Sequence, residues 1–255
     1  EGDDSRLAGV RFVITLDADT RMPRGAAEQM IATLAHPLNR PRLAPDGKTV
    51  AGGYAIIQPR VSASLPSATA TRFARVFTDA VGTDPYTHVV SEVYQDLTGE
   101  GSYYGKGIYD VHVLHRVLSN RFPEASILSH DLLEGAHVRV GLASDVEVFD
   151  TFPGSYLAYV RRQHRWIRGD WQIAAWATPR IPTGDAWVAN PLGAMNRWKI
   201  LDNLRRSLLP AAAVALLVAG WTVLPHAALI WSGFVGAVLL FSPVVQLVTR
   251  LVTQP

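Results

Sequence analysis

The sequence predicts an α/β domain followed by an apolar helical hairpin. Three observations carry this. Strand-like and helix-like apolar patterns alternate through the first 190 residues. No Asp, Glu, Lys or Arg occurs from 207 to 249, whereas the preceding part carries nearly all of them. Two carboxylates, Asp17 and Asp19, directly follow the first β-branched run, where open α/β sheets place their ligands.

In chain order, 10–16 is an apolar run suited to a buried central strand. Residues 26–34 are helical in pattern and stop before His36-Pro37, because proline cannot continue a helix. Asp46-Gly47 is a turn signal leading into a strand over 49–58, and 68–80 is again helical. Short strands are expected at 127–128 and 146–149. A long helix is expected over 155–176, with Ser155 as N-cap after Pro153-Gly154.

Residues 192–206 combine Met195, Trp198, Leu201 and Leu204 with Arg197, Lys199, Arg205 and Arg206. They read as an amphipathic helix on a membrane surface, its basic residues marking the cytoplasmic side. Residues 208–224 and 227–248 approach the roughly 20 residues that span a bilayer, with Pro225-His226 as the turn. Trp221 and Trp231 beside that turn suit the membrane interface. A buried hairpin of a soluble protein is the alternative, but these segments lack the polar face it needs. The expected divisions are 1–190, 191–206 and 207–255.

Apolar residues make up 48% of the chain and charged ones 18%, with a net charge of +2, which does not point to nucleic acid. Cysteine is absent, so disulfides, thiolate zinc sites and cysteine nucleophiles are excluded. The chain opens Glu1-Gly2-Asp3-Asp4 without Met or a signal-type stretch, and reads as part of a longer polypeptide.

Four stretches could carry chemistry. In Leu16-Asp17-Ala18-Asp19-Thr20, two hard carboxylates just past a strand suit Mg²⁺ or Mn²⁺, with substrate phosphates completing the shell; surface carboxylates are the plain alternative. In Ser129-His130-Asp131-Leu132-Leu133-Glu134-Gly135, Asp131 near a helix start suits an ionised general base, or simply an N-cap. On the 155–176 helix, Arg161, Arg165 and Arg168 share one face and suit phosphate, with Trp166 beside them as a flat surface for a sugar; contact with lipid headgroups is the alternative. The loop 99–107 is glycine-rich, includes Gly105 and Lys106, and allows close backbone approach to a ligand, but lacks P-loop spacing. His112 and His115 have no third metal ligand in view.

In this order the pieces resemble the processive, membrane-bound inverting glycosyltransferases of GT-A fold, the group that includes cellulose and hyaluronan synthases. The strings ITLDADT, GKGIYDV, SHDLLEG and RRQHRWIRGDWQ look closest to the glucosyltransferase region of bacterial cyclic β-1,2-glucan synthases. The resemblance implies a partial GT-A mixed sheet, an interfacial helix and a transmembrane hairpin at the bacterial inner membrane, with the catalytic part cytoplasmic. It implies UDP-glucose as donor, a glucan acceptor, the lipid bilayer and the remaining domains of the parent polypeptide as partners. Asp17 and Asp19 would hold the metal, and Asp131 would be the base, with Glu134 as a possible second acid. Gln163, Arg165, Trp166, Gly105 and Lys106 would bind donor diphosphate and acceptor.

Two departures stand out. His130 replaces the usual glutamate before the base, and Gln163 lies two residues before Arg165 where the pattern has three. Only sixteen residues precede Asp17, so the uracil-binding start of a GT-A domain is expected to be missing. A catalytically incomplete, membrane-anchored binding fragment is therefore one rival. A haloacid-dehalogenase-type phosphatase is another, but Thr20 stands one place early for that motif and the basic helix is left unexplained.

Overall fold

The computed structural model describes residues 9–78, 92–123, 127, 131–183, 186–224 and 228–253. The chain divides into two compact units, Glu1–Leu201 and Asp202–Pro255. The first is a mixed α/β unit. Its main sheet has the order β1-β5-β4-β6, with β1 spanning Phe12–Thr15, β4 Ile56–Ala63, β5 Gly107–Asp110 and β6 Val140–Asp150. β5 runs antiparallel to both β1 and β4, whereas β4 and β6 are parallel.

Adjacent residues of a strand face opposite sides, and Ile56 and Ile57 of β4 do so. Ile57 packs with Ile108, Ala143 and Val146 against helix α1 (Ala26–Ala35), which inserts Ala26, Met30 and Leu34 at four-residue spacing. Ile56 packs on the other side with Val50, Tyr103, Val117, Val138 and Val140. Pro59 interrupts β4: the register with β6 shifts between Pro59 and Arg60, as expected where a residue has no N–H to give the ladder.

Several expectations are corrected. Among the described residues the run 10–16 gives β1, which ends the strand order instead of lying inside it. β1 has β5 as its sheet neighbour among the described residues and all four of its residues are half-buried. The expected 49–58 strand is split into β3 (Val50–Gly52), which pairs with β2 (Arg42–Leu43), and β4 by Gly53, at φ +67, where a Cβ would lie 2.0 Å from the Arg40 carbonyl oxygen. The 68–80 helix is broken into α2 (Leu65–Thr69) and α3 (Arg72–Phe77), because Thr71 caps the second with its side chain; 79–80 lie outside the described residues. Ile127 is in no strand, and Leu128 lies outside the described residues. β6 begins well before 146. A two-stranded hairpin, β7 (Arg180–Thr183) with β8 (Ala186–Ala189), was not foreseen.

Helix α7 (Tyr156–Gln172) is capped by Ser155, whose hydroxyl accepts from Ala158 N at 3.3 Å, and gives way to a 3₁₀ turn at Ala174–Ala177. The elements between β4 and α7 are completed by α4 (Val93–Thr98), α5 (Val111–Leu118) and α6 (Asp131–Val138).

Helix α8 (Ala194–Thr222) begins in the first unit and runs unbroken past 206/207, with Pro210 inside it, so no separate element corresponds to 191–206. Within the first unit its polar residues turn inward. Lys199 Nζ donates to the Gly101 carbonyl at 2.7 Å, and Asn196 Nδ2 donates to Glu100 Oε1 at 3.0 Å. Trp198 and Leu201 are exposed, the reverse of a soluble amphipathic helix. The second unit pairs the rest of α8 with α9 (Ala228–Thr253). Gly220 lets Trp231 approach, since a Cβ there would meet the Trp231 Cβ at 3.0 Å. Trp221 Nε1 donates to Ser232 Oγ at 2.9 Å. Among the described residues α8 is the one helix long and apolar enough to cross a membrane; the apolar stretch of α9 is the shorter Ala228–Phe241. The expected turn at Pro225-His226 lies outside the described residues.

Candidate active site

The site is assembled where β1 ends. Thr20 N donates to the Asp17 carbonyl at 3.0 Å, closing a turn that presents Asp17 and Asp19 to solvent. Arg21 and Phe149 exchange backbone hydrogen bonds of 2.7 and 2.9 Å, and Thr20 Oγ1 donates to Asp150 Oδ1 at 2.6 Å. The acidic turn is thereby clipped to the C-terminal end of β6.

The glycine-rich loop supplies the opposite wall. Lys106 is buried, yet its Nζ lies 2.6 Å from Asp17 Oδ2 and 3.2 Å from Asp150 Oδ2. Burial pulls its pKa down, but the Asp17 and Asp150 carboxylates outweigh that and raise it. Gly105 stands at φ +82 with Asp131 against its α-carbon: a Cβ there would be 2.9 Å from Asp131 Oδ2. Tyr104 N donates to Gln58 Oε1 at 2.7 Å, and the Tyr103 hydroxyl shares a 2.9 Å hydrogen bond with Thr15 Oγ1. Consecutive loop residues thus tie β4, β1, the acidic turn and Asp131 together.

Asp131 is the first residue of α6, where the helix's N-terminal partial charge favours an ionised carboxylate. One turn on, the Glu134 carboxyl is pushed up to about 7 by burial and then by the charge of Asp131. Burial also raises the Tyr103 hydroxyl, with Asp131 and Glu134 adding to it. Two carboxyl groups on one helix face therefore sit in different environments: Asp131 at the helix start, and Glu134 buried and keeping its proton up to about pH 7.

On α7 the three arginines that share a helical face, Arg161, Arg165 and Arg168, are all exposed. The guanidinium turned toward the acidic cluster belongs to Arg162. It is half-buried, 4.9 Å from the centre of the Trp166 ring and 5.6 Å from that of Phe152. Burial lowers its pKa, and the charges of Tyr159, Asp150 and Asp19 oppose that. Its Nε is buried and forms no hydrogen bond among the described residues. Gln163 is half-buried, and Trp166 is 41% exposed with Arg162 over its ring.

Ser129 and His130 lie outside the described residues, and His112 and His115 are exposed on α5. No cluster of three His, Cys, Asp or Glu side chains suited to a metal occurs among the described residues. Asp17 and Asp19 nonetheless fit Mg²⁺ or Mn²⁺ of the kind held by one or two carboxylates plus substrate phosphates, since both are hard oxygen donors on an exposed turn. Sequence reasoning missed Asp150, Thr20, Tyr103 and Arg162. Asp150 alone carried a signal, being a carboxylate at the end of a β-branched strand, as Asp17 is.

No protein-family model matches the chain. The chain is 43% identical over 251 residues, 96% of its length, to the cyclic β-(1,2)-glucan synthase NdvB of Rhizobium meliloti (strain 1021). It spans 8% of that protein's length. The likeness to cyclic β-1,2-glucan synthases expected from the four sequence strings is borne out over nearly the whole chain.

Proposed function

We propose that this chain is the transfer part of an inverting, GT-A-type glucosyltransferase. It moves glucose from UDP-glucose onto a growing β-1,2-glucan at the cytoplasmic face of the inner membrane. The observation that carries the proposal is the loop Tyr103–Lys106, which has Asp131 against Gly105 and Asp17 on Lys106. The similarity to a cyclic β-(1,2)-glucan synthase supports the choice of sugar and linkage.

In this reading Asp131 takes the proton of the acceptor's 2-hydroxyl as that oxygen bonds to the anomeric carbon. The bond from that carbon to the diphosphate breaks in line, so the α-linked donor gives a β-linked product and UDP leaves. Asp17 and Asp19 would hold a divalent cation, which would supply charge neutralisation for the departing diphosphate. Lys106 and Arg162 add positive charge beside the acidic turn, and Trp166 offers its exposed ring to the acceptor.

The test is incorporation of radiolabelled glucose from UDP-glucose by the full-length protein in membranes, followed by linkage analysis. Asp131→Asn is expected to retain UDP binding and to lose transfer by about a thousandfold or more, the scale for a general base. Normal glucan synthesis by that variant would remove Asp131 from the role.

A further inference from the structure

The acidic turn already has a cation beside it, and that cation is part of the chain. Lys106 Nζ is 2.6 Å from Asp17 Oδ2, an oxygen of the carboxylate that would hold a divalent ion at this turn. Lys106 is not a surface lysine that happened to reach an acid. Its side chain is 10% exposed, and Asp150, itself 13% exposed, holds the same ammonium at 3.2 Å. Asp150 is fixed in turn by the Thr20 hydroxyl at 2.6 Å. The backbone on either side of Lys106 is equally constrained. Gly105 abuts Asp131, and a Cβ at Gly107 would lie 2.4 Å from the Ile57 carbonyl oxygen. Burial and the two carboxylates therefore keep the ammonium at the turn, shared between Asp17 and Asp150.

Resting on the reading of Asp17 and Asp19 as the cation site, we propose that Lys106 is the resident counter-charge of Asp17, tethered by Asp150. A divalent cation must displace it from Asp17 in order to bind. Like charges a few ångströms apart repel, so a fixed ammonium weakens cation binding at the turn. When a cation arrives, Lys106 keeps Asp150 as its partner, so displacement does not strand a buried charge. The turn is then held in shape without the ion, and cation uptake is favoured chiefly when a diphosphate comes with it to offset the repulsion.

The test is binding of Mn²⁺ alone, read by electron paramagnetic resonance on the full chain in detergent, with no donor or acceptor present. Lys106→Met is expected to bind Mn²⁺ about fivefold more tightly than the wild type at low salt, because one nearby positive charge is gone. Lys106→Arg, which keeps the charge, is expected to stay within about twofold of the wild type. If Lys106→Met loses its native circular dichroism, Lys106→Gln carries the same expectation while retaining a hydrogen-bond donor for Asp150. Asp17→Asn is the control for the site. Loss of Mn²⁺ in that control, with unchanged or weaker binding in the neutral Lys106 variants, overturns the counter-charge role and leaves the cation site standing. Unchanged Mn²⁺ binding by Asp17→Asn removes the cation site, and the counter-charge role with it.

Discussion

Gly105 and Gly99 share a left-handed backbone, at φ +82 and +72, but face different neighbours. An added Cβ at Gly105 would press on the Asp131 carboxylate at 2.9 Å, whereas at Gly99 the nearest atom is Arg139 Nη2 at 3.6 Å. Alanine at either position carries a backbone cost of about 1–2 kcal/mol. Only Gly105→Ala also displaces the proposed base. We expect both variants to lower the melting temperature by similar amounts, while Gly105→Ala alone reduces the turnover of glucose transfer by tenfold or more, with roughly unchanged UDP affinity. Equal turnover in the two alanine variants would separate Asp131 from the chemistry. At this scale the sequence disclosed the glycines and the acids but not their contact, because Gly105 and Asp131 meet only through tertiary packing. The same holds for Thr20 and Asp150, which are 130 residues apart in the chain. Arg162 was hidden for a related reason. Helical spacing groups Arg161, Arg165 and Arg168, but what turns Arg162 inward is the aromatic surface of Phe152, in the segment before the helix.

Helix α6 carries Asp131, Glu134 and His137, and the last two titrate in opposite senses. Burial and Asp131 raise the Glu134 carboxyl to about 7 from an ordinary 4.5. Its protonated form is the one the fold favours, so its contribution is complete below pH about 4.5 and is lost as pH rises toward 7. Burial lowers His137 to about 4 from 6.5, against the opposing hydrogen bond to the Leu133 carbonyl, with Arg121 lowering it further. His137 is fully buried, and its Nδ1 is 2.7 Å from that carbonyl, so the neutral ring donates there. Its contribution is complete above pH about 6.5 and is lost as pH falls toward 4. Between these limits the two slopes nearly cancel, and the wild type is expected to melt at an almost constant temperature from pH 4.5 to 6.5. Glu134→Gln leaves the His137 slope unopposed, so stability should climb with pH across that window by about 1 kcal/mol per unit. A flat thermal profile in Glu134→Gln would mean that the His137 ring is solvated in the native state. Element positions were legible where local rules decide them. Met30 and Leu34 in α1, and Ser155 capping α7, follow from spacing and from a hydroxyl before a helical run. The hairpin of β7 and β8 and the split at Gly53 were not, since each depends on what the backbone meets in space.

Across the whole chain the sharpest change in charge falls within α8. Its first turns lay Asn196 and Lys199 inward on the loop at Glu100 and Gly101, while the stretch beyond Ser207 exposes Leu208, Leu209, Val214 and Val218. An exposed apolar surface of this kind suits lipid, and the proposed cytoplasmic placement of this end rests on the basic Arg205 and Arg206 just before it. Continuity of the helix through 206/207 was not visible in the sequence, because the expected interfacial and spanning segments are both helical and either a join or a break between them satisfies the pattern. Pro210 is accommodated within the helix despite the donor it lacks. The absence of cysteine allows a direct test of the span. Single substitutions Ser207→Cys and Thr222→Cys place thiols about 22 Å apart along the axis, at about 1.5 Å per residue. If α8 crosses the bilayer, a membrane-impermeant maleimide should label Ser207→Cys from the cytoplasmic side and Thr222→Cys from the opposite side, in intact cells against inverted vesicles. Labelling of both from the cytoplasmic side means that α8 lies along the membrane surface, and the exposed valines then rest on the bilayer instead of passing through it.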